Sequence, residues 1–284
     1  VSLKIITDST CDLDLQELGK LGVSRVPLNV HFKGKSLLDW EELTPADIIR
    51  GVADGEDLPT TSQPSPEAFA EKYREAIADG ASEILVITIS SELSGTFQSA
   101  VIAAQDSEVP VEVFDSRAAS HGIAHVVRRA AALRDEGMGI AEMLPALERV
   151  RDTNLPFFTV GGLEFLQKGG RLGRAQAVIG GLLNIKPILS IRDGKISVEG
   201  RARGRKKSMQ EVVKLAKEHA ESQDGKLFVT FLHVQDPAAA QELKDAFDAA
   251  GIPYDFGGIY EIGTVIAAHV GPGTRAAYVY TQDA

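Results

Sequence analysis

Apolar runs and amphipathic stretches alternate through the first half of the chain. LKIIT at residues 3–7 reads as a strand, and DLQELGKLG at 14–22 has the spacing of a helix that stops at glycine. RVPLNVHF is extended, and GKSLLDW pairs with it across a turn near Lys33-Gly34. TPADIIRGVADG and SPEAFAEKYREAIADG share one start signal, a hydroxyl N-cap (Thr44, Ser65) followed by proline at the first helical position. EILVITI at 83–89 is apolar throughout, as expected of a strand covered on both faces. A helix over 94–105, the strand VEVFD at 111–115 and a helix over 118–135 complete the series. Strands alternating with helices predict a parallel sheet with covering helices. Three of the strands run into polar loops, TDST, SSELSGT and DSRAAS. Open α/β sheets gather ligands at the carboxyl ends of their strands. Asp8-Ser9, residues 90–96 and Asp115-Ser116 are therefore expected on one rim.

The pattern changes after about Asn154. LPFFTVGG is extended, GLEFLQKGGRLGRAQAVIGGLL is rich in glycine, and KPILSIRDGKISVEGRARG reads as a hairpin turning at Asp193-Gly194. A helix over 207–222 follows, then the strand KLFVTFLHV and a helix opened by Asp236-Pro237 and closed at Gly251. YDFGGIY and AAYVYT are the last strands. The prediction is two α/β domains, 1–153 with a mainly parallel sheet and 154–284.

Composition narrows the function classes. The 284 residues are 44% hydrophobic, enough for a sizeable core. A net charge of −10 argues against generic nucleic-acid binding, which leans on a basic surface. No apolar run approaches the ~20 residues that span a bilayer, so stable membrane insertion is not expected. VSLKIITDST lacks a charged segment followed by an apolar one, so no secretory signal is expected. Cys11 is the only cysteine, which rules out an intrachain disulfide and a cysteine-based zinc site and fits a cytoplasmic location. The six histidines form no H-E-x-x-H pair, and Asp8, Asp12 and Asp14 read as solvated turn and cap residues. No metal and no cofactor are expected.

The loop TTSQPSP at 60–66 carries four hydroxyls and no charge. Ser65-Pro66 is accounted for as a helix start. Thr61, Ser62 and Gln63 are not required by a cap, and hydroxyls beside a helix N-terminus can hold an anion. SSELSGTFQSA follows a strand and opens a helix, yet it lacks the lysine of a P-loop and the first glycine of a nucleophile elbow. HVGPG sets His269 before a glycine–proline turn. KGGRLGR and RARGRKK gather Arg171, Arg174, Arg201, Arg203, Arg205, Lys206 and Lys207 in an acidic chain, a solvated basic face or a docking patch.

Taken in order, TDST, TSQPS, SSELSGTFQSA, DSRAAS, LEFLQKGGRLG, NIKPIL and HVGPG resemble the DegV family of bacterial fatty-acid-binding proteins over almost the whole chain. The resemblance implies two α/β domains with one long-chain fatty acid, such as palmitate, stearate or oleate, bound between them. It implies a carboxylate held by Thr61 with Ser62 beside it, by Ser94 with Gly95 and Thr96 of the SGT loop, and by His269. It further implies an acyl-carrying subunit that serves a separate ATP-dependent fatty acid kinase, whose acyl phosphate enters phospholipid metabolism. Arg171 and Arg203 are then the expected docking residues. The tail would lie in an apolar tunnel to which PFFTVGGLEFL and VIGGLLNIKPILSI contribute. GPGTRAAYVY departs from the family, since Arg275 and Ala276 stand where a smaller, apolar pattern is usual, and this bears on the tunnel mouth. The alternative is an acyl hydrolase or acyl-transfer enzyme using Ser94 and His269, oriented by Asp8 or Asp115.

Overall fold

The computed structural model describes residues 2–172 and 185–282. The expected apolar lining from VIGGLLN at 178–184 and the position of Arg174 lie outside the described residues. The apolar runs of the first half become β1 (Leu3–Asp8), β2 (Val23–Val26), β6 (Glu83–Thr88) and β7 (Val111–Asp115). They form one parallel sheet in the order β2-β1-β6-β7. Its central strands are apolar on both sides because both sides are covered. Ile5, Leu85 and Ile87 pack on α5 (His121–Asp135) and α6 (Ile140–Thr153). Ile6, Ile84 and Val86 pack on α3 (Pro66–Ala78) and α4 (Thr96–Ala104).

The start signals act as read. Asp14 caps α1 (Leu15–Leu21) through Glu17 N, and Gly22 ends it in the left-handed region. Thr44 opens α2 (Pro45–Ala53), and Ser65 caps α3 through Ala68 N. A second, antiparallel sheet has the order β4-β3-β5, from β3 (Asn29–Phe32), β4 (Lys35–Leu38) and β5 (Thr60–Ser62). The stretch at 60–66, read above as loop, thus begins as a strand, with Thr61 opposite Val30.

The second half builds a six-stranded mixed sheet, β10-β9-β8-β13-β11-β12. Its strands are β8 (Leu155–Thr159), β9 (Ile185–Arg192), β10 (Lys195–Arg203), β11 (Lys226–His233), β12 (Asp255–Glu261) and β13 (Arg275–Gln282). Asp193-Gly194 is the hairpin turn between β9 and β10, both residues at positive φ. Strand alternation divides this sheet's two faces. Phe157, Phe231, Ala277 and Val279 pack on α8 (Arg205–Glu221) and α9 (Pro237–Ala249). Phe158, Leu232, Ala276 and Tyr278 face the other way, towards α7 (Glu164–Lys168) and α10 (Thr264–Val270). That second face also meets the N-terminal unit, where Tyr278 Oη donates to Ala119 O and His125 Nε2 lies 3.0 Å from Thr230 Oγ1.

Candidate functional site: an apolar cavity with hydroxyls and a histidine at one end

The expected rim exists. Asp8 accepts from the Ile89 amide at 2.7 Å, Ser91 Oγ donates to Asp115 at 2.5 Å, and the Ser90 amide donates to Ala118 O at 2.9 Å. The three loops are thereby tied into one edge at the carboxyl ends of β1, β6 and β7. Asp14 is an exposed cap as read, whereas Asp8 and Asp12 are buried, which corrects their reading as solvated residues. The β1 end is closed over by the chain that follows it.

Between this rim and the second sheet's inner face lies a cavity whose empty space, open solvent at the mouth included, is about 780 Å³. Ile89 and Ala119 line it from the rim, Phe158, Ile191, Ile196 and Leu232 from the second sheet, and Val265 and Ile266 from α10. The PFFTV segment contributes as expected. Arg275 does not intrude, because strand alternation turns it to Thr159 while Ala276 lines the cavity.

Thr61, Ser94, Arg171 and His269 enter the lining, as do Ser120, Thr274 and Tyr278, whose hydroxyls are already donated to Asp12, Val270 O and Ala119 O. Thr61 and His269 are 208 positions apart in sequence, yet Thr61 Oγ1 lies 2.7 Å from His269 Nε2. β5 supplies the threonine, and the last turn of α10 supplies the histidine. His269 Nδ1 is sealed from solvent and has no hydrogen-bond partner among the described residues. Its pKa is held down to about 4, first by burial and then by the Arg171 guanidinium. The imidazole is therefore neutral at pH 7. An unpaired lone pair costs less than an unpaired buried N–H, so we assign the proton to Nε2, donating to Thr61. Gly169 leaves the room for this ring, since a Cβ there would collide with Nδ1.

The other expected residues divide. Ser94 lines the cavity, with its hydroxyl 2.9 Å from that of the buried Thr96. Gly95 is the N-cap of α4 and packs against Gln63, and neither it nor Thr96 touches the cavity. Ser62 points to the opposite face of β5 from Thr61 and bonds His31 Nε2 at 3.0 Å, outside the cavity. Arg203 is exposed at the end of β10. Arg171, an expected docking residue, lines the cavity and is exposed at its mouth. It donates to Leu93 O at 3.1 Å and Gly169 O at 2.6 Å. The bond to Leu93, 78 positions away, ties it to the rim. A surface groove with Glu92, Gly170 and Lys195 shares Leu93, Ser94, Arg171 and Ile196 with the cavity, so the polar end opens to the outside.

Ser94 and His269 do not form a nucleophile–base pair here. The histidine's bond goes to Thr61 and the serine's to Thr96. Asp8 is committed to Thr10 and Ile89, and Asp115 to Ser91 and Arg117.

The two-domain α/β fold thus encloses an apolar cavity with Thr61, Ser94, Arg171 and His269 in its wall. The DegV family model, described as an uncharacterised protein family, matches residues 2–282, and the chain belongs to the DegV family. A DegV family protein from Thermus thermophilus, solved in a study of fatty acid binding, is 44% identical and superposes with a TM-score of 0.94 over 99% of this chain and 100% of its own. A fatty acid-binding protein of Thermotoga maritima is 33% identical over 280 residues, 96% of each chain. A stearic acid-binding protein from Eubacterium ventriosum is 27% identical, with a TM-score of 0.87 over 98% of both chains.

Proposed function

We propose that this chain binds one long-chain fatty acid, with its tail in the cavity and its carboxylate at Thr61, Ser94 and His269. The observation that carries the reading is the grouping of Thr61, His269 and Arg171, with Ser94, in the wall of a largely apolar cavity. With Nε2 donating to Thr61, the threonine keeps its own proton for a carboxylate oxygen, and Ser94 offers a second hydroxyl. Neutral donors satisfy a carboxylate without the desolvation cost of a buried ion pair. Arg171 adds positive charge at the mouth. Each buried CH₂ contributes ~0.8 kcal/mol, so a C16 tail offers roughly 12 kcal/mol before association costs. The division at 153/154 fits this reading, since the cavity draws its walls from both sides of it.

The chain serves in this reading as the acyl-presenting partner of a separate ATP-dependent kinase protein that forms the acyl phosphate. The groove at the polar end supports it, because a γ-phosphate can approach a carboxylate held there. Arg171 and the exposed Arg203 are the docking candidates, through arginine's planar donors. The acyl-transfer alternative is weaker, because it needs a Ser94–His269 contact that the hydrogen bonds do not make. Mass spectrometry of the protein and its extracted lipid separates the two. Free fatty acid with unmodified Ser94 supports the carrier, and an acyl-Ser94 adduct supports the enzyme.

A further inference from the structure

Asp12 and Asp39 are buried carboxylates that the carrier reading does not use. Ser120 donates to Asp12 Oδ2, and Ser9 donates to Asp39 Oδ2 at 2.6 Å. In each residue Oδ1 is buried and, among the described residues, has no hydrogen bond of good geometry. Asp12 abuts the start of α10, and Asp39 bridges to Leu43, which that start contacts. Asp12 Oδ1 and Trp40 Nε1 crowd Gly263, the N-cap of α10, so closely that a Cβ at Gly263 would collide with both. The next residue, Thr264, donates to Leu43 O at 3.0 Å. Burial raises Asp12 well above the usual carboxylate range and Asp39 adds to it, while the Gly263 amide, Ser120 and Trp40 pull the other way. Burial likewise pushes Asp39 up to about 6, against Ser9, Thr264, Arg25 and the Val265 amide. Residues of the N-terminal half therefore form a seat for the first turn of α10. His269 lies six residues beyond Gly263, about 9 Å along the helix axis at 1.5 Å per residue. Thr61, its partner, is fixed independently by pairing with β3.

We propose that Asp12 and Asp39 are positioning residues for His269. They seat the N-terminal end of α10 so that its last turn holds Nε2 on Thr61. The inference rests on the carrier reading for its ligand and not for its geometry. Without the seat, α10 is still packed and the cavity wall persists, but the imidazole loses its register with β5. The defect then falls on the carboxylate and spares the tail.

The test uses Asp12→Ala, which removes the seat, Gly263→Ala, which wedges the helix off it, and Asp12→Asn, which keeps its shape. Affinities for oleate and oleyl alcohol are measured on delipidated protein, and the His269 ring nitrogens are followed by ¹⁵N NMR. The expected result for both alanine variants is at least fivefold weaker oleate binding with less than twofold change for oleyl alcohol and displaced His269 signals. Asp12→Asn should recover most of the oleate affinity. Equal weakening for acid and alcohol overturns the proposal, as do His269 signals unchanged from wild type. Failure of wild-type protein to bind oleate sinks the carrier reading instead, and the His269 signals then decide the seat alone.

Discussion

Replacing Thr61 by valine keeps the β-branched shape that suits β5 and removes only the hydroxyl. In the free protein His269 Nε2 then loses its 2.7 Å partner, and neither ring nitrogen is hydrogen-bonded. That loss occurs with or without ligand and should appear as lower stability. The part that reaches the binding constant is the bond from Thr61 to the carboxylate. Hydrogen bonds to charged groups contribute about 1.5–3 kcal/mol, or roughly 10- to 150-fold in Kd at 1.4 kcal/mol per tenfold. Oleyl alcohol has no carboxylate and should change by less than threefold. Fluorescence competition on delipidated protein, with both ligands against wild type and variant, measures the difference. Oleate affinity within twofold of wild type, or equal losses for acid and alcohol, would refute the reasoning.

Four further outcomes follow from the same geometry. Gly169→Ala should weaken oleate binding with little loss of fold, because its methyl group displaces His269 while the backbone there is ordinary; unchanged affinity in a calorimetric titration contradicts it. Arg171→Ala should lower oleate affinity as well as acyl-phosphate formation with a cognate kinase, whereas Arg203→Ala should lower only the second; paired lipid-content and turnover assays distinguish them. Ser62→Ala should bind oleate like wild type, since its hydroxyl faces His31, and a tenfold loss would move it into the site. Burial pushes His125 down to about 3, so the folded state holds fewer protons than the unfolded one between pH 6.5 and about 3. This group's contribution is full above pH 6.5 and lost as pH falls through that window, so urea titrations of His125→Asn should show a flatter acid-side loss than wild type; equal slopes contradict it.

The elements legible in sequence are those with local signals. The strand at 111–115 and the helix starts at Thr44-Pro45, Ser65-Pro66 and Asp236-Pro237 carry their own chemistry. Elements without such signals went unread. α6 has Pro145 inside it, β5 is three residues long, and α10 is mostly apolar, so its pattern shows no polar face to betray a helix. The site divides similarly. No spacing rule joins Thr61 to His269, and family resemblance alone pointed to that pair. A run of charge in sequence suggests solvent, and Arg171 is exposed, but that it also lines the cavity depends on Leu93, 78 positions away. Asp12 was read as a turn residue because burial under Gly263 and Trp40 depends on residues far along the chain.

Native mass spectrometry of the purified protein tests the central claim most directly. The spectrum is taken as isolated, after organic extraction, and after addition of oleate or palmitate to the stripped protein. The account predicts a mass increment of one long-chain fatty acid, lost on extraction and restored at one molecule per chain, with weaker restoration in Thr61→Val. A single species at the mass of the bare polypeptide throughout, with no uptake of either acid, would contradict it.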